Sequence, residues 1–219
     1  MSQEHERDFD PEELVTQAFW DARYGSTTQV WSGNPNQRLV EQVTGLTPGT
    51  ALEVACGEGA DAIWLAQQGW QVTATDVSPV VLERAARQAA TLGPEIAVRI
   101  AWKQADAATW EPTPGQFDLV TTHFLHVPSR LRGPLHRRLA AAVRPGGSLL
   151  IVAHHPLDLE SRIPRMNLPD FFFTPEQVAA TLAPEAWEIV VAEAQPREAT
   201  LPDGQQATVH DAVLHARRR

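Results

Sequence analysis

The sequence predicts an α/β fold, a doubly wound and mostly parallel sheet with helices on both faces. Three observations carry that expectation. After Pro48 and Gly49, short apolar runs of strand length alternate with helical segments. The first of these runs, Ala51 to Cys56, ends in a glycine-containing turn that opens a helix. The chain has 219 residues, 43% hydrophobic and 21% charged, which is the composition of one ordinary globular domain and excludes disorder, collagen and a coiled coil.

The elements follow in order. Leu14, Val15, Ala18, Phe19 and Ala22 recur at three and four residues, which predicts one amphipathic helix over Asp10 to Arg23. A polar stretch from Gly25 to Asn34 interrupts the period, and Leu39, Val40 and Val43 restore it over Pro35 to Gly45. Residues 1–48 are therefore expected to form a helical appendage to a main domain over 49–219. Within that domain Ala51 to Cys56 reads as the first strand, Ala60 to Gln68 as a helix stopped by Gly69, and Val72 to Thr75 as the second strand. Ser78 and Pro79 have the types of an N-cap and a first helical residue, for a helix to Leu92 that Gly93 and Pro94 stop. Ala97 to Trp102 and Phe117 to Thr122 are the third and fourth strands, and Leu131 to Val143 is a helix. Ser148 to Ala153 is the fifth strand, after the turn Pro145-Gly146-Gly147. A proline-rich excursion, His155 to Pro175, precedes two late strands, Trp187 to Ala192 and Ala207 to His215. These two lie too close for a long crossover and suggest an antiparallel sheet edge.

Eighteen basic against 27 acidic side chains leave a formal charge of −9, the wrong sign for a protein that holds a phosphate backbone. No nucleic-acid partner is expected. No run reaches the roughly 18 apolar residues of a membrane span, and Met1 to Pro11 has no apolar stretch of a signal peptide, so no membrane partner and a cytoplasmic location are expected. The single Cys56 excludes an internal disulfide or a multi-cysteine zinc site, and in its small-residue setting it reads as a buried residue rather than a nucleophile. The single lysine, Lys103, leaves Schiff-base chemistry one candidate.

The chemistry concentrates in Glu53-Val54-Ala55-Cys56-Gly57-Glu58-Gly59, where the first strand gives way to the first helix of the sheet. In such a sheet a ligand binds outside the carboxyl ends of the strands, and glycines let the backbone approach it. A dinucleotide site would want a third glycine where Ala62 stands, and a carboxylate at Glu53 suits a cationic ligand better than a diphosphate. Asp76, at the end of the second strand, can accept from the two hydroxyls of a ribose, and Asp106 from an exocyclic amino group, with Val77 and Ala107 as apolar faces for a ring.

These residues resemble the class I S-adenosylmethionine-dependent methyltransferases. The matching segments are the Glu53 to Gly59 loop, Val72 to Ser78, Gln104 to Ala107, Phe117 to Val120, and Leu139 to Val152 around Arg144-Pro145-Gly146-Gly147, in the family's order. The sequence departs from the commonest pattern at Ala55, where many members carry glycine. The resemblance implies a Rossmann-like seven-stranded sheet whose last strand is antiparallel, with S-adenosylmethionine as cofactor held by Glu53, Ala55, Gly57, Gly59, Asp76, Val77, Asp106, Ala107 and His123. Phe19 to Tyr24, Trp31 to Asn36 and Glu58 to Ala66 further resemble a small-molecule branch with tellurite-resistance-type, thiopurine-type and thiol or halide methyltransferases. In that branch amino-terminal helices form a lid, which implies that Trp31, and with it Tyr24, walls the methyl-transfer pocket.

His123 and His126 follow the fourth strand, and His154 and His155 the fifth. The resemblance offers no paired acids of a metal-dependent branch, so no metal is expected. An imidazole with a pKa near 6.5 suits removal of a proton from a phenol or thiol, and His126 and His154 are the candidate catalytic bases. The implied reaction is in-line methyl transfer to a small nucleophile: a thiol, a chalcogen species, a halide, a phenol or a heteroaromatic. Alternatives are biosynthetic O- or N-methylation of a natural product, a nicotinamide-dependent oxidoreductase and a cofactor-binding protein without turnover. Met166 and Phe171-Phe172-Phe173 are expected to help build an apolar acceptor pocket. The arginines from Arg130 to Arg144 read as a solvated helix face, and Arg217-Arg218-Arg219 as a frayed tail.

Overall fold

In the computed structural model, which describes residues 10–160, 168–201 and 203–219, the alternation of apolar runs and helices becomes one seven-stranded sheet. Two short helices come first, α1 (Gln17–Gly25) and α2 (Gln37–Val43). The sheet is built from β1 (Thr50–Val54), α3 (Ala60–Gln67), β2 (Gln71–Asp76), α4 (Pro79–Thr91), α5 (Pro94–Ala97) and β3 (Ile100–Gln104). It continues through β4 (Phe117–His123), α6 (Ser129–Ala142), β5 (Val143–His154), α7 (Pro175–Ala179), β6 (Trp187–Thr200) and β7 (Gln206–Arg218). The strand order is β3-β2-β1-β4-β5-β7-β6, parallel except for β7, which runs antiparallel to both its neighbours. The fold is the doubly wound, mostly parallel sheet that the sequence predicts.

The pleat explains why the central strands read as unbroken apolar runs. Leu52, Val54, Val120, Leu149 and Ile151 enter one buried cluster with Leu135 and Leu139 of α6. Their neighbours Ala51, Leu119, Leu150 and Val152 enter a second, with Leu65 of α3 and Leu39 of α2. Successive side chains point to opposite faces, and both faces are covered.

Several boundaries differ from expectation for local reasons. The first helix does not run unbroken from Asp10. A 3-10 turn over Glu13–Val15 comes first, and Thr16 then caps α1, its hydroxyl accepting from Phe19 N at 3.3 Å. Gly93 and Pro94 do more than stop a helix: Pro94 opens α5, so β3 starts at Ile100 rather than Ala97. The late strands extend well past the expected Trp187 to Ala192 and Ala207 to His215. β6 is the sheet edge, so Pro196, paired in register with His210, is tolerated there despite lacking a donor.

The arginines are more engaged than a solvated face. Arg130 pairs with Glu12, Arg132 donates to Asp170 O and Phe172 O, Arg138 donates to Ala107 O and Ala108 O, and Arg144 pairs with Asp118. Nor is the carboxyl tail frayed, since Arg217 and Arg218 belong to β7 and Arg218 donates to Val143 O. Met166 lies outside the described residues. Among the described residues no helix is long and apolar enough to cross a membrane.

Candidate functional site

A cavity of about 630 Å³ opens at the carboxyl ends of the parallel strands. All twelve sequence candidates line it: Trp31, Glu53, Ala55, Gly57, Gly59, Asp76, Val77, Asp106, Ala107, His123, His126 and His154. Segments more than a hundred residues apart converge because parallel strands deliver every following loop to the same edge.

The turn after β1 is shaped by unusual backbone. Ala55 adopts φ +60, a left-handed conformation that costs an alanine roughly 1 kcal/mol or more. Gly57, at φ +51, donates its N–H to Asp76 Oδ2 at 2.9 Å, and a Cβ there would meet Trp31 Nε1 and the Tyr24 hydroxyl at 3.3 Å. Gly59 has a packing reason as well: a Cβ would sit 2.6 Å from the Trp102 ring of β3. Phe124, just past β4, also takes a left-handed φ of +52, and its ring lies 4.5 Å from that of His154.

Three carboxylates define the electrostatics. Glu53 is 3% exposed, and its Oε2 has no hydrogen-bond partner among the described residues. Burial, and then the nearby Asp61 and Asp76, push its carboxyl group well above the ordinary range. Asp76 is also raised by burial, opposed by the N–H donors of Ser78 and Gly57. Asp106 caps the following turn, accepting from Ala108 N at 2.8 Å and Thr109 Oγ1 at 3.0 Å. Each of its oxygens is thus already engaged once, with a second lone pair left. Cys56 is buried in the turn, its thiol pushed up by burial and by Glu53, which leaves it protonated and inert. Lys103 sits against Trp110 rather than in the cavity.

Sequence reasoning passed over the residues that fasten the amino-terminal segment to this turn. Glu58 accepts from Val30 N at 3.0 Å and Trp31 N at 2.9 Å, and pairs with Arg84 of α4 at 2.7 Å. Arg84 also donates to Tyr24 O and Thr27 O. Tyr24 is buried, its phenol held protonated by burial and the neighbouring Asp76. Asp61 accepts from Asn36 N and lies 2.7 Å from His123 Nδ1, while His123 Nε2 is 2.9 Å from Thr121 Oγ1. Glu58 and Asp61 sit beside the glycine turn and could have been suspected, whereas nothing local marks Arg84.

On the other side of β1 the cavity is imidazole and aromatic. The His126 and His154 rings are 5.4 Å apart. Phe172 backs His154 at 5.9 Å and Phe171 backs His126 at 6.5 Å, but both phenylalanines are buried and stand behind the cavity wall. Phe173 departs from the expected pocket altogether and packs into the core against His136, under Arg132.

A ligand with an ammonium group and ribose hydroxyls fits these groups. The buried Glu53 oxygen without a partner asks for a donor or a cation, and Asp76 offers free lone pairs at the strand end.

The methyltransferase domain family matches residues 51–147. The chain is similar to a ribosomal RNA small subunit methyltransferase C of Alcanivorax borkumensis, 29% identical over 61% of this chain and 39% of that protein. It is 28% identical to a 2-heptyl-1-hydroxyquinolin-4(1H)-one methyltransferase of Mycobacteroides abscessus, over 61% of each. A probable thiol methyltransferase of Arabidopsis thaliana is 30% identical over 65% of this chain and 63% of its own length. The chain thus spans less than two thirds of each of these relatives. Among solved structures, a chain studied for the conversion of a disulfide bond into a thioacetal group during echinomycin biosynthesis superposes with a TM-score of 0.72 at 23% identity, over 92% of this chain and 91% of that one.

Proposed function

The chain carries a class I S-adenosylmethionine-dependent methyltransferase domain, and on that premise we propose that the protein methylates a small soft or aromatic nucleophile such as a thiol or phenol. The observation that carries this reading is the continuity of one cavity from the Glu53 and Asp76 carboxylates to the His126–His154 pair. In it Glu53 holds the cofactor's ammonium, Asp76 the ribose hydroxyls, and Val77, Asp106 and Ala107 the base. His123, in contact with Asp61, flanks the amino-acid end. When bound, the sulfonium supplies a methyl group already activated for displacement.

The remaining work belongs to the protein. Trp31 and Tyr24, fastened over the turn by Glu58 and Arg84, keep water out. Holding the acceptor in line can contribute on the order of 7 to 11 kcal/mol. His126 or His154 takes the acceptor's proton if it arrives protonated. The net charge of −9 disfavours a nucleic acid as acceptor.

The test is transfer of labelled methyl from S-adenosylmethionine to a panel of thiols, phenols and RNA. Methylated thiol or phenol is expected, with a pH profile that changes in His126→Gln or His154→Gln. Labelling of RNA alone would overturn the acceptor assignment.

A further inference from the structure

The cavity does not end at the imidazoles. It runs on to Asp211 of β7 and Arg197 of β6, which lie on the same side of the sheet as His154: His154 pairs in register with Asp211, and Arg197 reaches diagonally across to it. Asp211 is 2% exposed and receives two guanidinium groups. From outside the cavity lining, Arg38 donates Nε to Asp211 Oδ2 at 3.2 Å and spends its remaining donors on Glu41, Gln195 O and Pro196 O. From the cavity side, Arg197 donates only Nε, at 3.1 Å to both carboxylate oxygens. Its two terminal nitrogens have no partner among the described residues, and its side chain is 30% exposed.

This arrangement differs from a structural ion pair. Buried Arg38 already satisfies the Asp211 charge, so Arg197 is not needed to neutralise it. Asp211 instead fixes the direction of the Arg197 fork by its Nε edge, leaving the opposite edge for a planar anion. The other carboxylate near it on the cavity wall, Glu198, accepts from Thr208 Oγ1 at 3.0 Å across the β6–β7 ladder. We propose that Arg197 is a specificity residue that binds a carboxylate on the methyl acceptor, whose nucleophilic atom lies by His126 and His154. This rests on the methyltransferase reading above and narrows its acceptor to an anionic, ring-sized molecule. One to two strand spacings, about 5 to 10 Å, separate the His154 imidazole at the end of β5 from the guanidinium reaching over β7. A para-substituted aromatic ring bridges a gap of that order.

The experiment is calorimetric titration of 4-mercaptobenzoate and of its neutral counterpart 4-methylbenzenethiol into protein saturated with S-adenosylhomocysteine. The acid is expected to bind about tenfold or more tighter, the worth of a charge-assisted pair. The gap should close in Arg197→Gln, which leaves Asp211 its Arg38 partner and so keeps the fold, and should return in part in Arg197→Lys. Equal affinities, no measurable binding of either thiol, or a gap that survives Arg197→Gln would each overturn the assignment. Failure of S-adenosylhomocysteine itself to bind would instead take down the methyltransferase reading on which it rests.

Discussion

At the amino ends of β1 and β4 the Asp118 carboxylate accepts from Thr50 N at 2.9 Å and Thr50 Oγ1 at 2.8 Å and pairs with Arg144, whereas at the carboxyl end of β1 the buried Glu53 carboxylate keeps an oxygen with no partner among the described residues. The same contrast holds for imidazoles. His215, low on the sheet, lies 3.1 Å from both Gln42 Oε1 and Ser148 Oγ, while His123, at the upper edge, has Nδ1 in a close contact with Asp61 that misses hydrogen-bond geometry. One edge of the sheet closes its polar groups among themselves and serves stability. The other leaves them open at a cost in folding free energy, which a ligand that brings the missing charge or donor offsets.

The comparison breaks first at Asp76. If its carboxylate holds two ribose hydroxyls, Asp76→Ala removes two charge-assisted bonds, about 3 to 6 kcal/mol together, or roughly 10² to 10⁴ in affinity for S-adenosylhomocysteine by calorimetry. Asp118→Ala, at the closed end, should lower the melting temperature and leave that affinity alone.

A buried ionisable group away from the cavity gives the next largest effect. Burial, and then the positive charge of Arg132, hold the His136 imidazole at about 4 against an ordinary 6.5. Between those values the unfolded chain takes up a proton that the folded chain refuses. The stabilisation is complete above about pH 6.5 and is lost as pH falls toward 4, by about 3 kcal/mol. Urea unfolding across that range should show the slope, and His136→Leu should flatten it.

Glu53 has the opposite sign. Its raised carboxyl keeps a proton in the folded state that the unfolded chain has already released, so stability falls as pH rises from about 4.5 to the raised value and stays reduced above it. Glu53→Gln should stabilise the ligand-free protein at neutral pH by about 1 to 2 kcal/mol while weakening cofactor binding. A variant that loses both stability and binding would mean that Glu53 is a satisfied structural group.

The smallest effect is at Ala55. Relief of its left-handed backbone in Ala55→Gly should raise stability by about 1 kcal/mol, less the extra entropy of an unfolded glycine. Thermal unfolding resolves a change of that size.

What was legible in the sequence follows the same division. The parallel core was readable because strands buried on both faces leave short apolar runs, and the candidates Glu53, Asp76, Asp106, His126 and His154 were readable because each lies at or just past the carboxyl end of a strand. β6 was truncated in the reading because an edge strand need not alternate and can carry Pro196. The Arg84–Glu58 clasp and the Arg38–Asp211–Arg197 group were not readable, since their members lie 26, 173 and 14 residues apart and meet only once the sheet and its covering helices are assembled. In the sequence Ala55 is only a departure from the glycine that many members carry. Its positive φ makes it a strained one.

The central claim is that the open edge holds a sulfonium nucleoside rather than a dinucleotide. Parallel calorimetric titrations of S-adenosylmethionine and NAD into the ligand-free protein test it most directly. Saturable binding of S-adenosylmethionine, lost in Asp76→Ala, is expected, with no heat from NAD. Binding of NAD with none of S-adenosylmethionine would contradict it.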